Sequence, residues 1–195
     1  MLGKDTNGIV LFGTNAVGKS SLIKSIGICV ILAQSGMFVP CTTFKYKPYN
    51  SIFTRILAND NIFKGLSSFA VEMIELHTII KLCDKYSLIL GDELCSGTES
   101  TSAICIFSAG LIYLREKLSS FIFATHLHEI CNIPEIQILQ GVVMKHMKVF
   151  YNKERDILEY DRQLCDGPGE NEYGLEVCKS LSMPKEFLDI SYKIR

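Results

Sequence analysis

The stretch Gly13-Thr14-Asn15-Ala16-Val17-Gly18-Lys19-Ser20 matches the pattern G-x-x-x-x-G-K-[ST] of a phosphate-binding loop. The apolar run Ile9-Val10-Leu11-Phe12 before it favours a β-strand, and the apolar stretch 22–33 after it favours a helix. In this context backbone N–H groups and the dipole of the helix point at a bound anion. The stretch therefore predicts a nucleoside triphosphate site, in which Lys19 contacts the β- and γ-phosphates and Ser20 ligates Mg²⁺.

A second apolar run, residues 87–91, predicts a buried strand that ends in Asp92-Glu93. In a chain with a phosphate loop, Asp92 at that strand end is expected to hold Mg²⁺, and Glu93 to orient and deprotonate the attacking water. The alternative interpretation is an acidic strand end that faces solvent. The phosphate loop favours the first interpretation.

A third apolar run, residues 121–125, is followed by His126. A histidine in this position can hydrogen-bond a γ-phosphate or the attacking water. A lone histidine is more often structural, but the ends of strands are where α/β sheets bind their ligands. The pattern therefore makes His126 a candidate for the same site.

The spacing of apolar segments predicts an α/β fold with a largely parallel central sheet flanked by helices. Helices are expected near 19–34, 68–84 and 99–117, and strands near 8–13, 51–55, 87–92 and 120–125. After residue 135 the pattern indicates an antiparallel hairpin of 136–151 with 157–164. Gly167-Pro168-Gly169 then interrupts the chain, and two short helices are expected after it, the second beginning at Pro184.

The composition favours an intracellular globular enzyme. With 195 residues and 48% hydrophobic content, residues 1–195 are expected to form a single domain. The net charge of −1 indicates no nucleic-acid-binding surface. The longest apolar run, 26–33, is too short to span a membrane, so no membrane partner is expected.

The cysteines indicate buried thiols in a reducing compartment, and they do not distinguish one such compartment from another. The chain has eight cysteines, none of them in a Cys-x-x-Cys pair. Several lie in apolar runs, as Cys29, Cys83 and Cys105 do. His126, His128 and Cys131 lack a fourth ligand at zinc-site spacing, so a zinc site is not expected there.

Several motifs together resemble the ATPase domain of MutS-type DNA mismatch repair proteins. They occur in the family's order over nearly the whole chain, from the phosphate loop with Ser21 to a C-terminal Tyr-Gly-Leu-Glu-Val: 14–21, 33–40, 54–56, 67–73, 125–129, 145–149 and 173–177. The segment 92–99, Asp-Glu-Leu-Cys-Ser-Gly-Thr-Glu, departs from the bacterial pattern, which has Gly-Arg before Gly-Thr. In this it is similar to a divergent branch found in organelles and giant viruses.

The resemblance implies an ABC-type P-loop ATPase that uses ATP and Mg²⁺ and acts as a homodimer or with a MutS-like partner subunit. It implies ATP contacts from the loop Gly13, Thr14, Asn15, Ala16, Val17, Gly18, Lys19, Ser20 and Ser21, and Mg²⁺ ligation by Ser20 and Asp92. Glu93 and His126 would act in the chemistry, together with Ser67 of the opposite subunit. Ser67 and Ser68 are also good N-cap residues, so capping of their own helix stays an alternative.

The resemblance also implies that this chain is a fragment, since relatives carry mismatch-recognition regions upstream. Mismatched duplex DNA would then be bound by regions absent from this chain. Two other functions stay open. One is another ABC-type DNA-maintenance ATPase of the recombination or chromosome-organising kind, although a Leu-Ser-Gly-Gly signature is absent. The other is a nucleotide-gated dimerisation module without hydrolysis, which the presence of Glu93 disfavours.

Overall fold

The structure is a computed structural model that describes residues 2–3, 5–56, 68–95, 97–152, 155, 157–169 and 174–194. The elements alternate between strands and helices up to residue 124 and then change to a strand pair and short helices. In chain order they are β1 Gly8–Phe12, α1 Lys19–Gln34, β2 Ser51–Arg55, α2 Ser68–Leu82, β3 Ser87–Asp92, α3 Ser100–Glu116, β4 Ser120–Ala124, a 3-10 helix His128–Asn132, α4 Pro134–Gln137, β5 Val142–Asn152, β6 Ile157–Asp166, α5 Gly174–Ser180 and α6 Lys185–Ile194.

The strands form one mixed sheet of six strands in the order β2-β3-β4-β1-β5-β6. The first five strands pair in parallel, and β6 pairs antiparallel to β5. Every residue of β1 and β4 is buried. These near-continuous apolar strands are expected where helices cover both faces of a parallel sheet.

Alternate residues of the inner strands pack into two separate clusters, because successive side chains point to opposite faces of a sheet. Val10 and Phe12 face the cluster that α2 and α3 complete, with Leu76 and Phe107 among its members. Their neighbours along β1 face the cluster that α1 completes. The molecule therefore has three layers, with α1 on one face of the sheet and α2 and α3 on the other. The α/β class and the parallel centre predicted from the sequence are confirmed.

The predicted boundaries at the start of β5 are wrong. The hairpin was expected to begin at residue 136, but Pro134–Gln137 is a helix and β5 begins at Val142. Proline fixes φ in the helical range and is favoured in the first turn. Gly141, with φ +82°, then turns the chain into the strand. The predicted antiparallel pairing of β5 with β6 is confirmed, but β5 also pairs in parallel with β1 and so extends the central sheet.

The prediction that the cysteines are buried is largely wrong. All eight thiols are free, but only Cys83 and Cys95 are buried. Cys105 is exposed, because it lies on the solvent-facing side of α3 although its neighbours in sequence are apolar. Within the described ranges, no helix is long and apolar enough to cross a bilayer.

Close packing at the start of β1 predicts a large effect of a small change. A methyl group at Gly8 would overlap the ring of Phe121 on β4, so we expect Gly8→Ala to lower the free energy of unfolding by about 1–3 kcal/mol. Gly110 in α3 is the control, because a methyl group there meets nothing within 4 Å. Gly110→Ala should be neutral or stabilising by up to about 1 kcal/mol. Urea unfolding of both variants measures the difference, and equal midpoints would contradict the packing argument.

Candidate functional site

Three loops leave the sheet at the same edge because β4 lies between β1 and β3. Asp92 at the end of β3 is paired with Ala124 at the end of β4. The Thr125 N–H donates to the carbonyl of Leu11, which fixes the start of the next loop beside β1. The phosphate loop after β1, the acidic pair after β3 and the histidine after β4 are therefore brought together, as α/β sheets do at their carboxyl ends.

The loop of residues 13–18 has a conformation that its glycines permit. Gly13, Ala16 and Gly18 all have positive φ, at 149°, 64° and 109°. A Cβ on Gly13 would lie 3.0 Å from the side chain of Val17, which is fully buried beneath the loop. Gly18 is the N-cap of α1, so the unpaired N–H groups of the first helical turn begin directly after it. The loop is thus a strand-to-helix turn suited to an anion.

Lys19 extends back over the loop from the first residue of α1. Its Nζ donates to the carbonyls of Gly13, at 2.7 Å, and Thr14, at 3.0 Å. Burial lowers the pKa of Lys19, while the charges of Glu93 and Asp92 oppose that shift. A negatively charged ligand at this place would compensate the same burial, because an opposite charge stabilises the ammonium form.

Glu93 and His126 contact each other beside Lys19. His126 Nε2 lies 2.8 Å from Glu93 Oε1 and 3.3 Å from Lys19 Nζ. The side chains of His126 and Glu93 are 42% and 44% exposed, so a water molecule or ligand can reach both. A carboxylate next to an imidazole can accept a proton from water and keep the water oriented.

Two buried side-chain oxygens lie in this region, one on Asp92 and one on Thr14. Among the described residues, no hydrogen-bond donor reaches Asp92 Oδ1 or Thr14 Oγ1, although both atoms are buried. Buried polar atoms are usually satisfied, and an unpartnered carboxylate oxygen fits a divalent cation that prefers oxygen ligands. Ser20, half-buried in the first turn of α1, supplies a hydroxyl oxygen, which is also an oxygen ligand for such a cation. The residues present therefore fit Mg²⁺.

The structure places the other predicted residues as follows. Asn15 and Ala16 are exposed at the tip of the loop, and Ser21 is exposed on α1. Ser67 lies outside the described residues, and α2 begins at Ser68. The described residues that the sequence predicts for the site therefore lie at one edge of the sheet. The position of Ser67 stays a prediction.

Sequence reasoning missed a buried ionic group beside this edge. Arg55 at the end of β2 and Glu72 in α2 form an ion pair of 2.9 Å, and both are almost fully buried. Both residues lie in segments that carry the family resemblance, but no role was assigned to them. The local sequence does not mark Arg55 and Glu72 as partners, because β2 and α2 carry other polar and charged residues as well.

A family model described as MutS domain V matches residues 9–195. The chain belongs to the MutS family. The matched domain, domain V of MutS, belongs to the family that the motifs in the sequence resemble.

Relatives of this MutS domain include a viral protein, a mitochondrial protein and bacterial proteins. It is 46% identical over 97% of its length to a DNA mismatch repair protein MutS homologue of Acanthamoeba polyphaga mimivirus. It is 41% identical over 98% to the mitochondrial DNA mismatch repair protein MutS homologue of Sarcophyton glaucum. It is 36% identical over 99% to the DNA mismatch repair protein MutS of Petrotoga mobilis. The chain spans 17%, 19% and 23% of these three proteins, respectively.

The geometry of Lys19 yields a test of the phosphate site. Lys19→Ala removes the buried ammonium beside Asp92 and Glu93, so we expect the affinity for a nucleoside triphosphate to be abolished. Lys24→Ala is the control, since Lys24 is an exposed lysine on the same helix. Titration with a fluorescent triphosphate analogue compares the two. Unchanged affinity in Lys19→Ala would contradict the assignment of the loop.

Proposed function

We propose that this MutS domain is an ABC-type P-loop ATPase that binds and hydrolyses ATP and pairs with a second such domain. The observation that carries the proposal is the convergence of Lys19, Asp92, Glu93 and His126 at one edge of the sheet. Membership in the MutS family supports ATP as the triphosphate. Hydrolysis would drive the conformational cycle in which the longer protein binds mismatched DNA.

In the proposed reaction the side chains of the site bind the phosphates, hold Mg²⁺ and activate water. Lys19 exchanges the carbonyls of Gly13 and Thr14 for oxygens of the β- and γ-phosphates. Asp92 and Ser20 would hold Mg²⁺, which supplies charge neutralisation at those phosphates when it is bound. Glu93 accepts the proton of the attacking water, and His126, in contact with Glu93, orients that water towards the γ-phosphate.

Partners are proposed from the same considerations. The second domain would be another copy of this chain or a MutS-like partner, with Ser67 completing the opposite site. The net charge of −1 supports the proposal that mismatched duplex is bound by other regions of the longer protein. The domain V match favours mismatch repair over the recombination and chromosome-organising ATPases.

Glu93 distinguishes an ATPase from a nucleotide-gated dimerisation module that does not hydrolyse ATP. We expect Glu93→Gln to retain ATP binding, because the phosphate contacts of Lys19 are untouched, and to lower kcat by about 10²–10⁴-fold through loss of the general base. Glu135→Gln, an exposed carboxylate away from the site, is the control. Steady-state phosphate release measures kcat. If Glu93→Gln keeps the wild-type rate, the base lies elsewhere and His126 is the next residue to replace.

Ser67 tests whether the site is shared between two chains. Specific activity should rise with protein concentration, and Ser67→Ala should impair pairing and turnover while monomers still bind nucleotide. Mixing Lys19→Ala chains with Ser67→Ala chains should restore part of the activity, because one interface then combines an intact loop with an intact Ser67. Each variant alone is the control. Concentration-independent activity, with Ser67→Ala equal to wild type, would reduce Ser67 to a helix cap.

A further inference from the structure

A buried ionic cluster connects α2 with the loop that carries Glu93. We call Arg55, Glu72, Glu75 and Cys95 the Glu72 cluster. Glu72 Oε1 lies 2.9 Å from Arg55 Nη2, and Glu72 Oε2 accepts a hydrogen bond of 2.9 Å from the backbone N–H of Cys95. Glu75 Oε2 lies 2.8 Å from Arg55 Nε. One carboxylate therefore contacts β2 through a side chain and the loop after β3 through its backbone.

The loop after β3 has an unusual backbone. Glu93 and Cys95, neither of them glycine, have positive φ of 52° and 68°. Such conformations cost on the order of 1–3 kcal/mol each, so the surrounding structure must hold them. The Glu93 N–H donates to the carbonyl of Ala124 at 3.0 Å, and the Cys95 N–H donates to Glu72. Between these two hydrogen bonds the loop directs the Glu93 side chain towards His126.

The burial of Arg55 and Glu72 means that their ion pair is not explained by a gain in folding stability alone. The side chains of Arg55 and Glu72 are only 4% and 1% exposed. Desolvation of two buried charges often cancels their attraction, and replacing both with apolar residues of similar size is frequently neutral or stabilising. An apolar pair would fill this space, but it would offer no acceptor to the Cys95 N–H.

We infer that Glu72 is a positioning residue for Glu93. Arg55 orients the Glu72 carboxylate, the carboxylate fixes the Cys95 N–H, and the loop between Cys95 and β3 holds Glu93 beside His126. Because Glu72 lies one turn after Ser68, at the start of α2, the same contact ties the first turns of α2 to the general base. The inference rests on the proposed function for its kinetic consequence, while its structural consequence can be measured without catalysis.

The test distinguishes the effect of losing the hydrogen bond from Cys95 to Glu72 from the effect of losing the packing volume of the buried pair. Arg55→Met combined with Glu72→Leu fills the same space with apolar side chains of similar volume. It removes both charges and the acceptor of the Cys95 N–H. Glu72→Gln keeps an acceptor oxygen for the Cys95 N–H. Glu75→Gln is the matched control, since Glu75 contacts the same guanidinium but is 46% exposed. All variants are made in the full chain and compared by thermal unfolding, by kcat and KM for ATP, and by thiol alkylation mapped to peptides.

Cys95 reports the state of the loop. Burial raises the pKa of its thiol to about 11, with the Glu72 charge adding to the shift and Arg55 opposing it. The charges of Glu72 and Arg55 act on this pKa in opposite directions, so their joint removal partly cancels, and alkylation measured at several pH values separates exposure of the loop from a change in thiolate fraction. Cys83, which is buried at the end of α2, should stay unreactive, and the exposed Cys105 should react in every variant.

We expect the double variant to unfold near the wild-type temperature, to lose kcat by up to about a hundredfold with KM changed by less than about threefold, and to expose Cys95. Glu72→Gln should lose less kcat, and Glu75→Gln should match wild type. A double variant with wild-type kcat and a protected Cys95 would overturn the inference. If Glu72→Gln and the double variant lost kcat only in proportion to lost folded protein, the cluster would be merely structural. If wild type hydrolysed no ATP, the proposed function would fail, and Cys95 alkylation would still decide whether Glu72 holds the loop.

Discussion

The parallel pairing of β1, β4 and β3 is the constraint on which the site depends. It sets the carboxyl ends of three strands side by side, so that residues separated by more than a hundred positions, such as Lys19 and His126, come within 3.3 Å. The pairing is in turn stabilised by apolar residues on both faces of each strand, which α1 covers on one side and α2 and α3 on the other. Core packing and the geometry of the site are thus two results of one arrangement.

Much of this arrangement could be predicted because its signals are local. The run before Gly13 is apolar at every position, as a strand buried on both faces requires, and the glycines then permit the positive φ of the loop. Asp92 and His126 follow similar runs directly. Where a strand is buried on both faces, the end of its apolar run marks the end of the strand. The residue that follows the run can then be assigned to the sheet edge.

The remaining features depend on contacts between distant segments. Arg55 and Glu72 look like two ordinary charged residues until β2 and α2 are placed against each other. The start of β5 was misplaced because the apolar residues of 136–139 fit a helical turn after Pro134 as well as they fit a strand. Cys105 shows the same ambiguity, since an apolar neighbourhood in sequence covers both sides of a helix and only packing selects the buried side.

The contact of His126 Nε2 with both Lys19 Nζ and Glu93 Oε1 has a consequence that follows from counting protons. An imidazole nitrogen carries either one hydrogen or one lone pair, whereas the ammonium only donates and the carboxylate only accepts. If Nε2 carries the hydrogen, Glu93 is satisfied and Lys19 faces no acceptor there; if it carries the lone pair, Lys19 is satisfied and Glu93 faces no donor. With an ammonium and a carboxylate as neighbours, one of the two contacts therefore lacks a hydrogen bond in either tautomer of the imidazole. The three side chains therefore form an arrangement whose energy falls when a new acceptor draws the ammonium away, leaving the imidazole and the carboxylate as a matched pair.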